Sequence, residues 1–278
     1  MSRTSLDAID IADRTGAWGC MTFFASSSAA SPQETPARVA LVTGASQGLG
    51  LALTRELACR GWVVAMAARH EEQLLAAVAQ LEQECPGARL LARRADVSVE
   101  ADRAALVDAV ARRWGRLDLL VHNASALGPV PLPSLLEVPF EAFEPVFRTN
   151  VLAPVRLIQL AWPLLEAAPR ALVVSVTSDA ALEGYPGWGV YGASKAALEL
   201  VTRTFAHELA GRSVRFVAVD PGDMDTAMHR AAVPDADPSA LADPRRVARK
   251  MADLAESLLD PSAPPPGPSV PLRVTLGG

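Results

Sequence analysis

From Arg38 onward the chain alternates short, continuous apolar runs with longer stretches in which apolar residues recur every three or four positions. "RVALVT" (38–43) and "WVVAMAA" (62–68) are unbroken, rich in Val and bounded by turn residues, as strands covered on both faces are. "ARLLARR" (88–94), "LDLLVH" (117–122), "ALVVSVT" (171–177) and "VRFVAV" (214–219) follow. The intervals between them predict helices over about 48–60, 71–84, 100–114, 140–167, 190–210 and 244–258. Pro154, Pro163 and Pro169 should kink or end the fourth of these. Such alternation implies right-handed crossovers and an α/β fold: one doubly wound (Rossmann) parallel sheet of about seven strands, with helices on both faces.

The remaining stretches set the expected boundaries. Residues 1–37 read as a flexible leader, with Met21 as an alternative start, and residues 38–278 as one domain. "PSAPPPGPSVP" (261–271) reads as a rigid proline-rich surface loop, and "LRVTLGG" as a last edge strand. "AWGCMTFFA" (17–25) faintly resembles a signal sequence, but Asp7, Asp10 and Asp13 precede it and no cleavage site follows. No apolar run approaches the ~18 residues of a membrane span.

Composition narrows the function classes. The 278 residues are 50% hydrophobic and carry a net charge of -5, which argues for a globular chain and against nucleic acid as partner. Cys20, Cys59 and Cys85 form no C-x-x-C and no even framework, which suits unpaired thiols in a reducing compartment, the cytoplasm. Asp223, Asp225 and His229 lie close together, yet read as caps or solvated groups, so no metal is expected. No G-x-S-x-G elbow supports a hydrolase.

The candidate chemistry begins where the first strand runs into "TGASQGLG" (43–50). Glycines at 44, 48 and 50 let the backbone turn tightly and approach a pyrophosphate at the N-terminus of the following helix. Gly44, Ser46, Gln47, Gly48, Leu49 and Gly50 are therefore the first candidate cofactor contacts. The second strand ends "AARHEE", with Arg69 where a carboxylate would otherwise select a free ribose 2′-hydroxyl. That arrangement favours NADP(H) over NAD(H).

A second constellation lies in "YGASK" (191–195). Only two of the 26 Lys and Arg residues are lysine, Lys195 and Lys250, and the chain has only two tyrosines. Tyr191 and Lys195 stand four apart on one helix face. A phenol of pKa ~10 is a poor proton donor or acceptor at neutral pH, and a nearby ammonium is expected to lower it.

Together the motifs resemble the short-chain dehydrogenases/reductases over about residues 38–278. The likeness rests on "TGASQGLG", Asp96-Val97, "HNAS" (122–125), Asn150 in "RTNVLAP", Ser178, "YGASK" and "DPGDMDT" (220–226). The resemblance implies that Tyr191 exchanges the substrate proton, Lys195 supports it and binds the nicotinamide ribose, Ser178 holds the substrate oxygen, and Asn150 holds a relay water. It also implies cofactor contacts at Asp96, Val97, Asn123, Ala124, Pro221, Gly222 and Thr226, and subunit contacts in a homodimer or homotetramer. The chain departs from the family pattern at His122, Ser125, Gln47 and Met224.

Substrate walls are expected from Leu127, Leu182, Tyr185, Trp188, Met224 and Met228, with few fixed charges and a lid over about 223–243. They suggest an apolar or aromatic carbonyl or secondary alcohol as partner. The competing readings are a catalytically silent dinucleotide-binding scaffold, or a lyase or isomerase on the same fold.

Overall fold

Five to seven consecutive buried residues can only be covered from both sides, and the apolar runs do become the middle of a parallel sheet. The computed structural model of the chain describes residues 9–10, 37–262 and 272–277. The leader other than Ile9–Asp10, with Cys20 and Met21, and residues 263–271 of the proline-rich stretch lie outside the described residues.

The elements are β1 (Ile9–Asp10), β2 (Val39–Thr43), α1 (Gly48–Cys59), β3 (Val63–Ala68), α2 (Glu71–Glu84), β4 (Arg89–Arg94), α3 (Glu100–Trp114), β5 (Leu119–His122), α4 (Phe143–Phe147), α5 (Ala153–Glu166), β6 (Ala171–Val176), α6 (Gly189–Glu208), β7 (Val214–Asp220), α7 (Ala227–Ala232), α8 (Pro244–Leu259) and β8 (Arg273–Thr275). Their spatial order in the sheet is β1-β4-β3-β2-β5-β6-β7-β8. Seven strands are parallel, as Leu41↔Ala65 on one side of β2 and Leu41↔Leu120 on the other illustrate. Strand order reverses between β2 and β5, so a crevice opens at their C-terminal ends.

Alternate residues of each strand feed two separate cores. Ala40, Val42, Val64 and Met66 meet Leu53, Leu57, Leu81, Val247 and Met251 on one face. Val39, Leu41, Ala65 and Leu120 meet Leu106, Val110, Leu157 and Leu165 on the other. This two-sided packing explains why the strands read as unbroken apolar runs.

The fourth expected helix is divided. A 3₁₀ turn at Phe140–Ala142 leads into α4, a π-helical stretch covers Arg148–Leu152, and α5 starts next to Pro154. Pro154 has no N–H to give the Asn150 carbonyl four residues back, and the helix passes that gap by widening one turn. Pro163 is accommodated within α5.

Two expectations change. Ile9 and Asp10, inside the segment read as leader, pair antiparallel with Ala92 and Leu91, covering backbone groups that a parallel edge strand otherwise leaves unpaired. Cys59 and Cys85 were expected as unpaired thiols and instead form a disulfide, with Cα atoms 5.2 Å apart. Their separation of 26 residues hides the pairing, because it arises only when the C-terminal ends of α1 and α2 lie side by side.

Closing a loop of that length restricts the unfolded chain. Reducing the bond, or Cys59→Ser, is therefore expected to lower the unfolding free energy by about 3 kcal/mol. Urea unfolding with and without reductant measures it. A midpoint that reductant leaves in place would show that the link contributes nothing.

Candidate active site

The crevice between β2 and β5 is closed at its base by hydrogen bonds between two loops. Asn123 Nδ2 donates to the carbonyls of Thr43 (2.9 Å) and Gly44 (3.0 Å). Thr43 Oγ1 accepts from the backbone N–H of Asn123 and of Ala124, both at 3.1 Å, and donates to the Val121 carbonyl. Asn123 and Ala124 thus build the wall of the glycine turn by tying it to the next strand.

The turn is shaped for a close approach. Gly48 has φ +54°, in the left-handed region, and a Cβ at Gly50 would sit 2.2 Å from the Gly44 carbonyl oxygen. The α1 N-terminus has no side-chain cap and no acidic residue in its first turn, so its N–H groups face outward unneutralised. This cradle fits the pyrophosphate of a dinucleotide. Ser46 is half-buried beside it and Gln47 is exposed.

The far end of the crevice is basic. Arg69 is exposed after β3, and its Nε donates to His70 Nε2. Arg94 ends β4, where its backbone pairs with Ala68. Burial pushes the Asp96 carboxyl up, but bonds from Ser98 and the charges of Arg69 and Arg94 outweigh it and hold Asp96 below the usual range. Asp96 is thereby flanked by two arginines, of which the sequence singled out only Arg69. Val97 is buried and its carbonyl accepts from Arg103.

At the near end lies a cleft with about 1010 Å³ of empty space, open to solvent. Tyr191, Lys195 and Ser178 line it together with Gly44, Gln47, Gly48, Leu49 and Asn123. Pro221, Gly222 and Thr226 close the opposite side, and a Cβ at Gly48 would lie 3.5 Å from Thr226 Cγ2. Gly222 N–H donates to Asp220 Oδ1, and the Thr226 hydroxyl caps α7 through His229 N–H.

Lys195 is 2% exposed, and its Nζ donates to the Val176 carbonyl at 2.8 Å. Burial pushes its pKa down to about 8. Nζ lies 5.4 Å from the centroid of the Tyr191 ring. The Tyr191 phenol was expected to be lowered by that ammonium. Instead burial raises it above its ordinary value; the hydroxyls of Ser178 and Ser125 oppose the shift, while the charges of Asp179 and Asp220 add to it. The buried lysine is committed to a carbonyl, and desolvation of the phenol dominates.

Asn150 is 1% exposed and its amide is saturated. Nδ2 donates to the Ala126 carbonyl and Ser194 Oγ; Oδ1 accepts from Ala126 N–H and Ser125 Oγ. The side chain therefore has no donor or acceptor to spare for a water. Ser125 had been noted only as a departure from a motif, yet it lines the cleft, touches Asn150 and acts on the phenol. Its spacing from Tyr191 in the chain carries no signal of this.

Leu127, Trp188, Met224 and Met228 line the substrate end, and Trp188 packs edge-on to Tyr191 at 5.5 Å. Tyr185 and Leu182 are exposed and are not among the lining residues; the Tyr185 hydroxyl donates to Asp179 Oδ2. The walls were expected to hold few fixed charges, but Asp179, Asp220, Asp223 and His229 all border the cleft. Asp179, exposed at the edge of the cleft, accepts from Ser178 Oγ, Ala180 N–H and Tyr185 Oη. Asp223 lies 3.7 Å from His229, and Asp225 pairs with Arg230.

Comparisons with known proteins agree with this arrangement. A family model described as short chain dehydrogenase matches residues 38–237. A benzil reductase ((S)-benzoin forming) of Saccharomyces cerevisiae is 33% identical over 233 residues, 82% of this chain and 87% of that protein. A dehydrogenase/reductase SDR family member 4 of Homo sapiens is 35% identical over 193 residues, 69% of this chain and 68% of that one. The structure of an alcohol dehydrogenase from Thermococcus sibiricus, complexed with 5-hydroxy-NADP, superposes with a TM-score of 0.74 at 28% identity, covering 86% of this chain and 95% of that one.

The buried lysine has a measurable consequence. Its folded value near 8 lies below the ordinary 10.5, so between those values the unfolded chain holds more protons and stability rises with pH. Lys195→Met is expected to raise the unfolding free energy at pH 7 by about 2 kcal/mol, after allowance for the lost hydrogen bond, with the gain shrinking by pH 10. Urea unfolding at both pH values tests this. A variant less stable than wild type by the same margin at each pH would contradict it.

Proposed function

The chain belongs to the short-chain dehydrogenase/reductase family of oxidoreductases, and from that premise we propose that it is an NADP(H)-dependent enzyme interconverting a carbonyl and a secondary alcohol, with Tyr191 as its proton donor and acceptor. One observation carries the reading: the glycine turn, Ser178, Tyr191, Lys195 and the Pro221–Thr226 loop border a single cleft. Bound there, the nicotinamide supplies the hydride for reduction and, once oxidised, a positive charge beside the phenol.

The chain's own residues do the rest. Burial keeps the Tyr191 phenol protonated at neutral pH, the form that donates to a carbonyl oxygen. Ser178 Oγ turns from Asp179 to donate to that oxygen, where negative charge develops. As carbon receives the hydride, the phenolic proton passes to oxygen and leaves an alcohol. Lys195, near its own midpoint at pH 8, returns a proton to the phenolate, and the Asn150 carbonyl holds the water through which solvent reloads it. Gly44, Ser46, Gln47, Gly48, Leu49 and Gly50 hold the pyrophosphate; Asp96 and Val97 hold the adenine; Asn123 and Ala124 back the turn. Pro221, Gly222 and Thr226 hold the carboxamide.

NADP(H) preference is supported by Arg69 with Arg94 beside Asp96 and by the NADP derivative of the archaeal neighbour. Leu127, Trp188, Met224 and Met228 favour an apolar or aromatic carbonyl, with Tyr185 at the rim and residues 223–243 as lid. A relative is named for benzil reduction, which makes benzil the first carbonyl to try. Residues 38–278 act as one domain. Exposed Phe140, Leu152 and Leu200 on the 140–166 and 189–208 segments support a homodimer or homotetramer.

Tyr191→Phe should cut NADPH-dependent carbonyl reduction by about 10²–10⁴-fold and leave the cofactor-induced thermal shift intact. Full activity in that variant would exclude the mechanism. Arg69→Asp should weaken NADPH binding by more than tenfold relative to NADH, as a carboxylate repels the 2′-phosphate. An unchanged ratio of the two affinities, measured by calorimetry, would exclude the NADP(H) assignment.

A further inference from the structure

Two carboxylates are buried that the mechanism does not use, one of them at the edge of the cleft. Glu199 stands one turn beyond Lys195 on α6 and is 4% exposed; Asp220 ends β7 and is 5% exposed. Thr177 Oγ1 donates to Glu199 Oε1 at 2.8 Å, one residue along from the carbonyl that holds Lys195. A single guanidinium joins them. Arg273 Nε donates to Glu199 Oε1 at 3.0 Å, Nη2 to Asp220 Oδ2 at 2.9 Å and to the Ser178 carbonyl at 3.2 Å, and Nη1 to Thr275 Oγ1 at 2.9 Å. Arg273 lies on β8, beyond residues 38–237 that the family model matches.

We propose that Arg273 is a positioning residue of the active site, which neutralises the buried Glu199 and Asp220 and anchors the main chain of Ser178, and so sets the charge balance behind Tyr191 and Lys195. This rests on the reading of that pair as the working groups. Four charges belong to this region: Arg273 from β8, paired with Glu199 from α6 and with Asp220 from β7, and Lys195 one turn before Glu199 on α6. They cancel. Asp179, Asp223 and His229 border the cleft from its solvent side, Lys250 on α8 donates to the Leu276 carbonyl, and His122 at the end of β5 is pushed down to about 3 by burial and stays neutral. Asp220 already acts on the Tyr191 phenol from its place in the network. Without the guanidinium, one uncompensated negative charge remains next to a buried cation and a buried phenol, which favours the protonated form of both.

The chain's two lysines make the test direct. Side-chain ¹³C labelling of lysine gives two NMR signals to titrate, and Lys250→Arg assigns them. Arg273→Gln should move the Lys195 midpoint up by about one pH unit, Glu199→Gln should move it down by a similar amount, and Arg273→Lys should leave it near the wild-type value. The pH at which alcohol oxidation rises should follow the same order, with the high-pH plateau retained. Should Arg273→Gln fail to fold, Glu199→Gln alone decides. A Lys195 midpoint that stays put in every folded variant, whatever the loss of thermal stability, overturns the proposal and assigns Arg273 a purely structural part. The titration needs no turnover, so a wild type lacking NADP(H)-linked activity would sink the proposed reaction and leave the charge network to be judged on its own.

Discussion

The bonds from Asn123 to the carbonyls of Thr43 and Gly44 hold together the one place where the sheet reverses direction, and the geometry of the cleft follows from them. Strands β2 and β5 are neighbours in the sheet but nearly eighty residues apart in the chain, and their exits diverge. A glycine turn leaving β2 has no intrinsic reason to lie against the loop leaving β5. The amide of Asn123 supplies one, because both of its N–H groups are used on backbone oxygens of that turn. Gly50 then has to be glycine, since any Cβ would occupy the Gly44 carbonyl. Thr226 meets the turn from the other side, and the cleft is bounded.

Burial is the second organising influence. A lysine and a tyrosine placed in the interior are driven in opposite directions from their ordinary charge states, the lysine toward neutrality and the phenol away from ionisation. Both shifts hold the pair uncharged more readily than water would, so the electrostatics depend on whatever charge lies behind them. That is why buried carboxylates such as Glu199, and Asp220 at the cleft's edge, matter to what happens within it. Burial acts at His122 as well, whose two ring nitrogens have no hydrogen-bond partner among the described residues and which stays neutral.

Most of the architecture was legible because the sheet is buried on both faces and writes itself as unbroken apolar runs; β3, β4 and β6 fall within a residue of the ranges read from the chain. Tyr191, Lys195, Ser178 and the glycine turn were legible because local motifs carry them. What escaped depends on contacts between distant segments. The Cys59–Cys85 link requires two helix ends to meet, Ser125 gains its place through Asn150 twenty-five residues on, and Arg94 acquires meaning only where β4 ends beside β3. The lowered phenol inferred from the Y-x-x-x-K spacing failed for a related reason. Spacing reports that two groups share a helix face and is silent on how dry that face is.

The position of Arg273 has a consequence for synthesis. Both carboxylates of the network, and the described residues bordering the cleft from Gly44 to His229, precede it in chain order. As the chain leaves the ribosome from its N-terminus, β2 to β7 can pair and the glycine turn can close while β8 is still unmade. Glu199 and Asp220 must then be buried with no cation to meet them, or remain wet until β8 docks. Until β8 docks, the acid pair lacks the cation that Arg273 brings to it.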